Sequence, residues 1–302
     1  MVALPLLAAA AFVASTTLLD RTNGTLISSG VERRYLLFVP PTYDPSRPTP
    51  LVISLHGAAA WPAQQMHLTH WNDVAAEHGF IVVYPAARGR IWRVQHPGSD
   101  PTADVRFIGD LIDTLERTYH IDSHRIYANG FSLGGAMAFA LGCRLSGRLA
   151  AVGTASAAEA LPWSWCTDDR PMPFINFHGT ADLVPYAGGP SPDPFNPVTF
   201  PAVRQWTAQW AGRNRCRGQG DSTLAPDVVA TAYRDCADDA SVVLYTVRGG
   251  GHAWPGGKAL PRWPFGRTTT SIDATRIMWA FFQAHPLGPT TSGRSVPPRE
   301  EH

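Results

Sequence analysis

The sequence predicts an α/β fold: a mostly parallel central sheet with helices on both faces. Two observations carry that expectation. Short, continuous apolar runs recur at residues 50–55, 80–84 and 174–177, and strands buried on both faces read this way. Between the runs lie stretches with apolar residues three and four apart, the spacing of helices that bury one stripe. Strands alternating with helices imply right-handed crossovers that cover both faces of one sheet.

Taken in order, residues 34–39 and 50–55 read as strands flanking a Pro-rich turn at 40–50. Residues 80–84, ended by Pro85, form the next strand, and 126–128, 174–177 and 242–247 follow. Within residues 104–119, Val105, Ile108, Ile112, Leu115 and Tyr119 share one stripe. Asp104 stands near its start, where the helix dipole favours a carboxylate. Residues 133–145 are small and apolar almost all round and predict a buried helix. Residues 199–210 and 271–284 are further helix candidates. The Pro- and Gly-rich stretch 187–201 is too long for a tight turn and reads either as a site-lining loop or as a surface excursion.

The bulk properties bound the function. A chain of 302 residues, 44% hydrophobic and 16% charged, can bury one large core. The formal net charge of +1 and the lack of a Lys/Arg run argue against a nucleic-acid partner. Residues 1–19 are apolar and read as a signal peptide, with small residues at 13–16 near a possible cleavage point. A buried helix or a membrane anchor is the alternative, because the run is close to the minimum length that spans a membrane. A catalytic domain is expected over 30–285 and a disordered tail over 286–302. Four cysteines, an even number, fit two disulfides and an oxidising compartment. Of the three possible pairings, closeness in sequence favours Cys143–Cys166 and Cys216–Cys236. No pair has the CxxC spacing of a zinc or thioredoxin-like site.

The chemistry concentrates at Gly130-Phe131-Ser132-Leu133-Gly134, a Gly-x-Ser-x-Gly element after a buried strand and before an apolar helix. A serine on a strained strand-to-helix turn projects its hydroxyl from the sheet, and the flanking glycines keep side chains out of the bend. Ser132 is therefore the candidate nucleophile. A serine hydroxyl needs a base, and the base needs an acid that orients it. Asp182 follows the strand 174–177 and is expected at its C-terminal edge, where open α/β sheets place their sites. Asp168 and Asp169 precede that strand, and Asp193 lies in the Pro-rich stretch. His252, in a glycine-rich loop after the strand 242–247, is the candidate base; His285 and His302 follow it at or beyond the last helix. The N–H of Leu133 and that of Ala58 are the expected oxyanion donors, with Gly57 as the alternative to Ala58. His56 is expected to support that turn. His67 and His70, three apart, lack a third ligand nearby, so no metal and no cofactor are expected. Among tryptophans in or near loops (Trp61, Trp92, Trp163, Trp165, Trp254), Trp254 and Trp92 are the candidates for substrate contact, against ordinary packing.

At these residues the chain resembles the extracellular polyhydroxybutyrate depolymerase / feruloyl esterase group of α/β-hydrolases, including related mycobacterial lipoprotein esterases. The resemblance rests on LVISLHG at 51–57, DVRFI at 104–108, IDSHRIYANGFSLGG at 121–135, FHGTADLVPY at 177–186 and GGGHAWPGG at 249–257. It implies the triad Ser132, Asp182 and His252, a disulfide at Cys216–Cys236, and ester hydrolysis through an acyl-enzyme. Leu133 stands where many members carry Asn or Met, and Ala58-Ala59-Ala60 replaces a turn that commonly contains Cys or Gly. The expectation is a secreted, monomeric serine esterase acting on acylated polysaccharide, polyester or small esters, with no stable membrane anchor. A serine peptidase on the same scaffold and a non-catalytic binding protein are the alternatives.

Overall fold

The computed structural model describes residues 21–94, 100–190 and 199–288. The signal-peptide expectation, Asp193, His302 and the tail beyond 288 fall outside these residues, as does the middle of the 187–201 stretch. Within them, ten strands form one sheet. The strands are β1 (Gly24–Ser28), β2 (Val31–Phe38), β3 (Thr49–Leu55), β4 (Ile81–Pro85), β5 (Ile121–Phe131), β6 (Ala151–Ala155), β7 (Phe174–Gly179), β8 (Gly218–Ala225), β9 (Val228–Arg234) and β10 (Val242–Val247). Their order across the sheet is β1-β2-β4-β3-β5-β6-β7-β10-β9-β8. Pairings from β4 through β3, β5, β6 and β7 to β10 are all parallel, as the apolar runs predict. Antiparallel strands extend both ends.

Alternation along the parallel strands sorts the core into two layers. Leu51, Ile53 and Leu55 of β3 face one layer, with helices α3 (Thr102–Thr118), α4 (Leu133–Arg144) and α5 (Val203–Arg213). Val52 faces the other, with α1 (Pro62–Thr69), α2 (Trp71–His78) and α6 (Ala274–Ala284). The α3 stripe holds as read: Val105, Ile108, Ile112 and Leu115 are buried, and Tyr119 packs against the same layer just past the helix. All of α4 up to Cys143 is buried.

The differences have local causes. The helix expected at 199–210 is shifted to Val203–Arg213, because Pro201 and the residue before it favour extended backbone. Gly189–Pro190 pairs instead with Thr199–Phe200, closing the ends of the 187–201 stretch on each other. α6 begins at Ala274 rather than 271, where the Asp273 side chain caps by accepting from the Arg276 N–H. β1 precedes the expected domain start at residue 30 and pairs along its whole length with β2. At the other end, residues 286–288 are not free tail: Leu287 N–H donates to His124 O at 2.7 Å. Both disulfides form as expected, Cys143–Cys166 and Cys216–Cys236. No helix among the described residues is long and apolar enough to cross a membrane.

Candidate active site

Because β3, β5, β6, β7 and β10 run parallel, their C-terminal ends meet on one edge of the sheet. The loops at that edge carry the predicted residues. Ser132 sits between β5 and α4 with φ 53° and ψ −122°, a left-handed conformation strained for a residue with a side chain. Its N–H donates to Ala155 O at 2.9 Å, which holds the bend against the end of β6. The motif glycines are required by contact. A Cβ on Gly130 would lie 2.1 Å from Gly134 O, and one on Gly134 would lie 2.1 Å from Leu55 O. The second contact also seats the start of α4 against the turn that follows β3.

Asp182 and His252 meet across two loops. The carboxylate accepts from His252 Nδ1 at 2.7 Å, and its side chain has no solvent exposure. The proton therefore belongs on Nδ1, leaving Nε2 as the basic nitrogen. Burial pushes the Asp182 carboxyl up, but the charge of His252 and the hydrogen bond it donates outweigh this and hold the group down at about 2. Asp182 thus stays a carboxylate and stabilises positive charge on the imidazole.

His178, which the sequence reading assigned no role, is fully buried beside this pair. Burial lowers its pKa, so it is the neutral ring whose Nε2–H donates to Val184 O at 2.9 Å, and it stands 3.7 Å from Asp182. The acid and base loops approach closely because Gly179 has no side chain: a Cβ there would lie 2.2 Å from Gly250 O.

The base loop is laced at its backbone. His252 N–H donates to Phe265 O at 2.6 Å, and Gly251 N–H to Arg267 O at 2.9 Å. Arg267 is in turn paired with Asp227 at 2.9 Å. The His252 ring lies 4.9 Å, centroid to centroid, from that of Phe131, the neighbour of Ser132. The competing groups are elsewhere. Asp168 accepts from the N–H and hydroxyl of Ser146 beyond the far end of α4. His285 is bonded to Ser241, just before β10 and so at the opposite edge.

After β3, His56 supports the turn as expected. Its Nε2 accepts from Ala87 N–H at 3.1 Å, and its Nδ1 donates to Gly57 O at 2.7 Å. Ala59 N–H donates to Arg90 O and Ala60 N–H to Gly57 O, and Ala58 beside them is exposed. A Cβ on Gly57 would lie 3.5 Å from Ser132 Cβ, so the turn borders Ser132. Leu133 N–H is at the first turn of α4, where N–H groups lack partners within the helix.

The tryptophan expectations are corrected. Trp92 and Trp254 are both 0% exposed. Trp92 donates to His56 O from the core, and Trp254 donates to Thr275 Oγ1 beneath the base loop. Neither can touch a substrate in this conformation. His67 lies in α1 and His70 in the left-handed break after it, so they share no helical face. The sequence reading did not single out Trp263, which is 67% exposed in the one-turn segment Arg262–Phe265 that the His252 backbone bonds to. In the sequence it stands between Pro261 and Pro264, with Leu260 and Phe265 nearby.

The sheet order, with a strained serine between a parallel strand and a helix, defines an α/β-hydrolase. The family model "Esterase PHB depolymerase" matches residues 33–160, which include Ala58, Ser132 and Leu133. Over those residues the chain is similar to this family. It is 31% identical over 235 residues to feruloyl esterase B of Piromyces equi, a match covering 75% of this chain and 44% of that one. It is 27% identical over 271 residues to a probable feruloyl esterase C of Aspergillus flavus, covering 84% of each. Against a bifunctional acetylxylan esterase/xylanase of Neocallimastix patriciarum the match spans 31% of the relative's length. The chain thus spans less than half of these first and third relatives. Among solved structures, an acetyl xylan esterase from Aspergillus awamori shares the fold with TM-score 0.55 at 17% identity, over 73% of this chain and 89% of that one.

Proposed function

We propose that the protein is a serine-dependent carboxylic-ester hydrolase working through an acyl-enzyme. One observation carries the reading: a left-handed Ser132 stands at the same sheet edge as a buried Asp182–His252 pair. In this mechanism Ser132 Oγ attacks the ester carbonyl while His252 Nε2 takes its proton. The N–H groups of Ala58 and Leu133 hold the oxyanion. His252 returns the proton to the leaving alcohol, and water then repeats the sequence to release the acid. Asp182 keeps the imidazole in the tautomer this requires. His178 and Asp227 act as positioning residues, the first on the acid and the second, through Arg267, on the base loop.

The substrate class proposed is an acylated polysaccharide, in keeping with the acetylxylan and feruloyl esters named for two relatives, with polyester and small esters as lesser candidates. Trp263 is assigned to the substrate, since an exposed indole carried beside the base loop offers a flat apolar face to a sugar ring or aromatic acyl group. Export is part of the proposal and is supported by the two disulfides. The test is Ser132→Ala. It should abolish 4-nitrophenyl acetate hydrolysis with an unchanged circular dichroism spectrum, and turnover near wild type would refute the reading. A panel of methyl ferulate, acetylated xylan and hydroxybutyrate oligomers then assigns the ester.

A further inference from the structure

Next to the oxyanion turn lies a cavity of about 270 Å³ to which the reaction assigns no task. Its wall includes Arg33, Arg34, Arg88, Arg90 and Glu32. Arg33 is buried and neutralised by Asp104 at 2.8 Å. Arg34, Arg88 and Arg90 are exposed and, among the described residues, form no ion pair. With Glu32 as the one opposing carboxylate, the wall keeps an excess of two positive charges on a chain whose formal net charge is +1. A concave wall focuses such a charge far better than a convex surface does. One guanidinium is also held in place, with Arg90 Cζ lying 4.6 Å from the centroid of the Trp61 ring.

The cavity lies beside the turn that follows β3. His56 and Ala60 line it and flank the turn that carries Ala58, and Ala59 N–H is bonded to Arg90 O at 3.0 Å. Gly57 borders Ser132 and stands three residues before Ala60. The wall therefore begins within about 11 Å of the nucleophile's turn, three Cα steps at most.

Resting on the esterase reading above, we propose that this cavity is a subsite for a carboxylate carried by the ester substrate. The planar fork of arginine matches a carboxylate with two parallel hydrogen bonds, and partial enclosure strengthens them. The enzyme then prefers acidic esters to neutral ones of the same size. The carboxylate has two possible sources: a uronate on an acylated polysaccharide, or the free acid end of a half-ester.

Two matched pairs of substrates test the proposal and separate the sources. One is an acetylated, uronate-bearing xylo-oligosaccharide beside the same oligosaccharide with its carboxyl groups reduced to alcohols. The other is 4-nitrophenyl hydrogen succinate beside 4-nitrophenyl butyrate. Wild type should favour the acidic member of at least one pair by about tenfold in kcat/KM, the size of one good charge-assisted pair. Added salt should shrink that preference. Arg34→Gln/Arg88→Gln should remove it while neutral-ester rates, which also report folding, stay within about twofold.

Equal rates within both pairs in wild type, or a preference that survives in the variant, would overturn the subsite. If wild type hydrolyses no ester at all, the esterase reading fails separately. The cavity is then judged by calorimetric titration of Ser132→Ala protein with the two oligosaccharides. Tighter binding of the acidic one supports the subsite, and equal binding overturns it.

Discussion

Trp254 and Trp263 leave the same loop nine residues apart, one 0% and the other 67% exposed. The contrast extends to the two regions they represent. The floor of the site, around Ser132, Asp182 and His252, is fixed by several constraints at each position. Gly130, Gly134 and Gly179 admit no side chain, and Trp254 and His178 are packed and hydrogen-bonded beneath. The rim, with Trp263, Arg34 and Arg88, projects side chains that few neighbours restrain. A change in the floor should therefore damage chemistry or folding, and a change in the rim should alter recognition alone.

The largest expected effect is in the floor. Asp182→Asn should lower kcat by about 10³- to 10⁴-fold with secondary structure intact, because the amide cannot hold the required tautomer. Kinetics on 4-nitrophenyl acetate beside circular dichroism decide this, and a loss of only a few-fold would remove Asp182 from the mechanism. The same variant tests the electrostatics. Asp182 is held at about 2 against an ordinary 3.8, so its carboxylate stabilises the fold above the ordinary value and the contribution is lost as pH falls through about 2. Denaturation midpoints between those two values should fall more steeply in wild type than in Asp182→Asn; parallel curves would sink the assignment.

Next in size is the pair of tryptophans. Trp254→Ala removes a fully buried indole and should cost about 3–5 kcal/mol of stability, seen as a lower midpoint in denaturant. Trp263→Ala should leave that midpoint within about 0.5 kcal/mol, as exposed substitutions do. It should instead raise KM for a polymeric or aromatic ester several-fold with kcat unchanged, the mark of lost uniform binding. An exchange of these two outcomes would break the division between floor and rim.

That division also explains what could be read from the sequence. Ser132 was legible because its glycines answer local needs, and the strand and helix around it have short-range patterns. Asp182 and His252 were legible from chain order and from positions just past strands. The boundaries of α5 and α6 drifted because Pro201 and the Asp273 cap act over a few residues that periodicity does not weigh. The β8–β9 hairpin was not read at all: only Val228, Ala230 and Thr231 of its fifteen residues are buried, so β8 carries no apolar alternation. Exposure on the rim was the least legible. Whether an indole ends inside or outside depends on residues far away, such as Thr275 against Trp254.

Beneath the edge where the site lies, two polar rungs cross the core. Ser54 is the direct partner of Asn129 in the β3–β5 pairing, and their side chains bond at 2.9 Å. Thr154 and Asn176 do the same between β6 and β7, also at 2.9 Å. Polar groups in so dry an interior tolerate no misalignment, so sliding one strand past another by a single residue would strand them without partners. The first rung stands three residues below Ser132, and the second joins the strands that lead to Ser156 and Asp182. The register beneath Ser132, Ser156 and Asp182 is thus set like type in a locked frame.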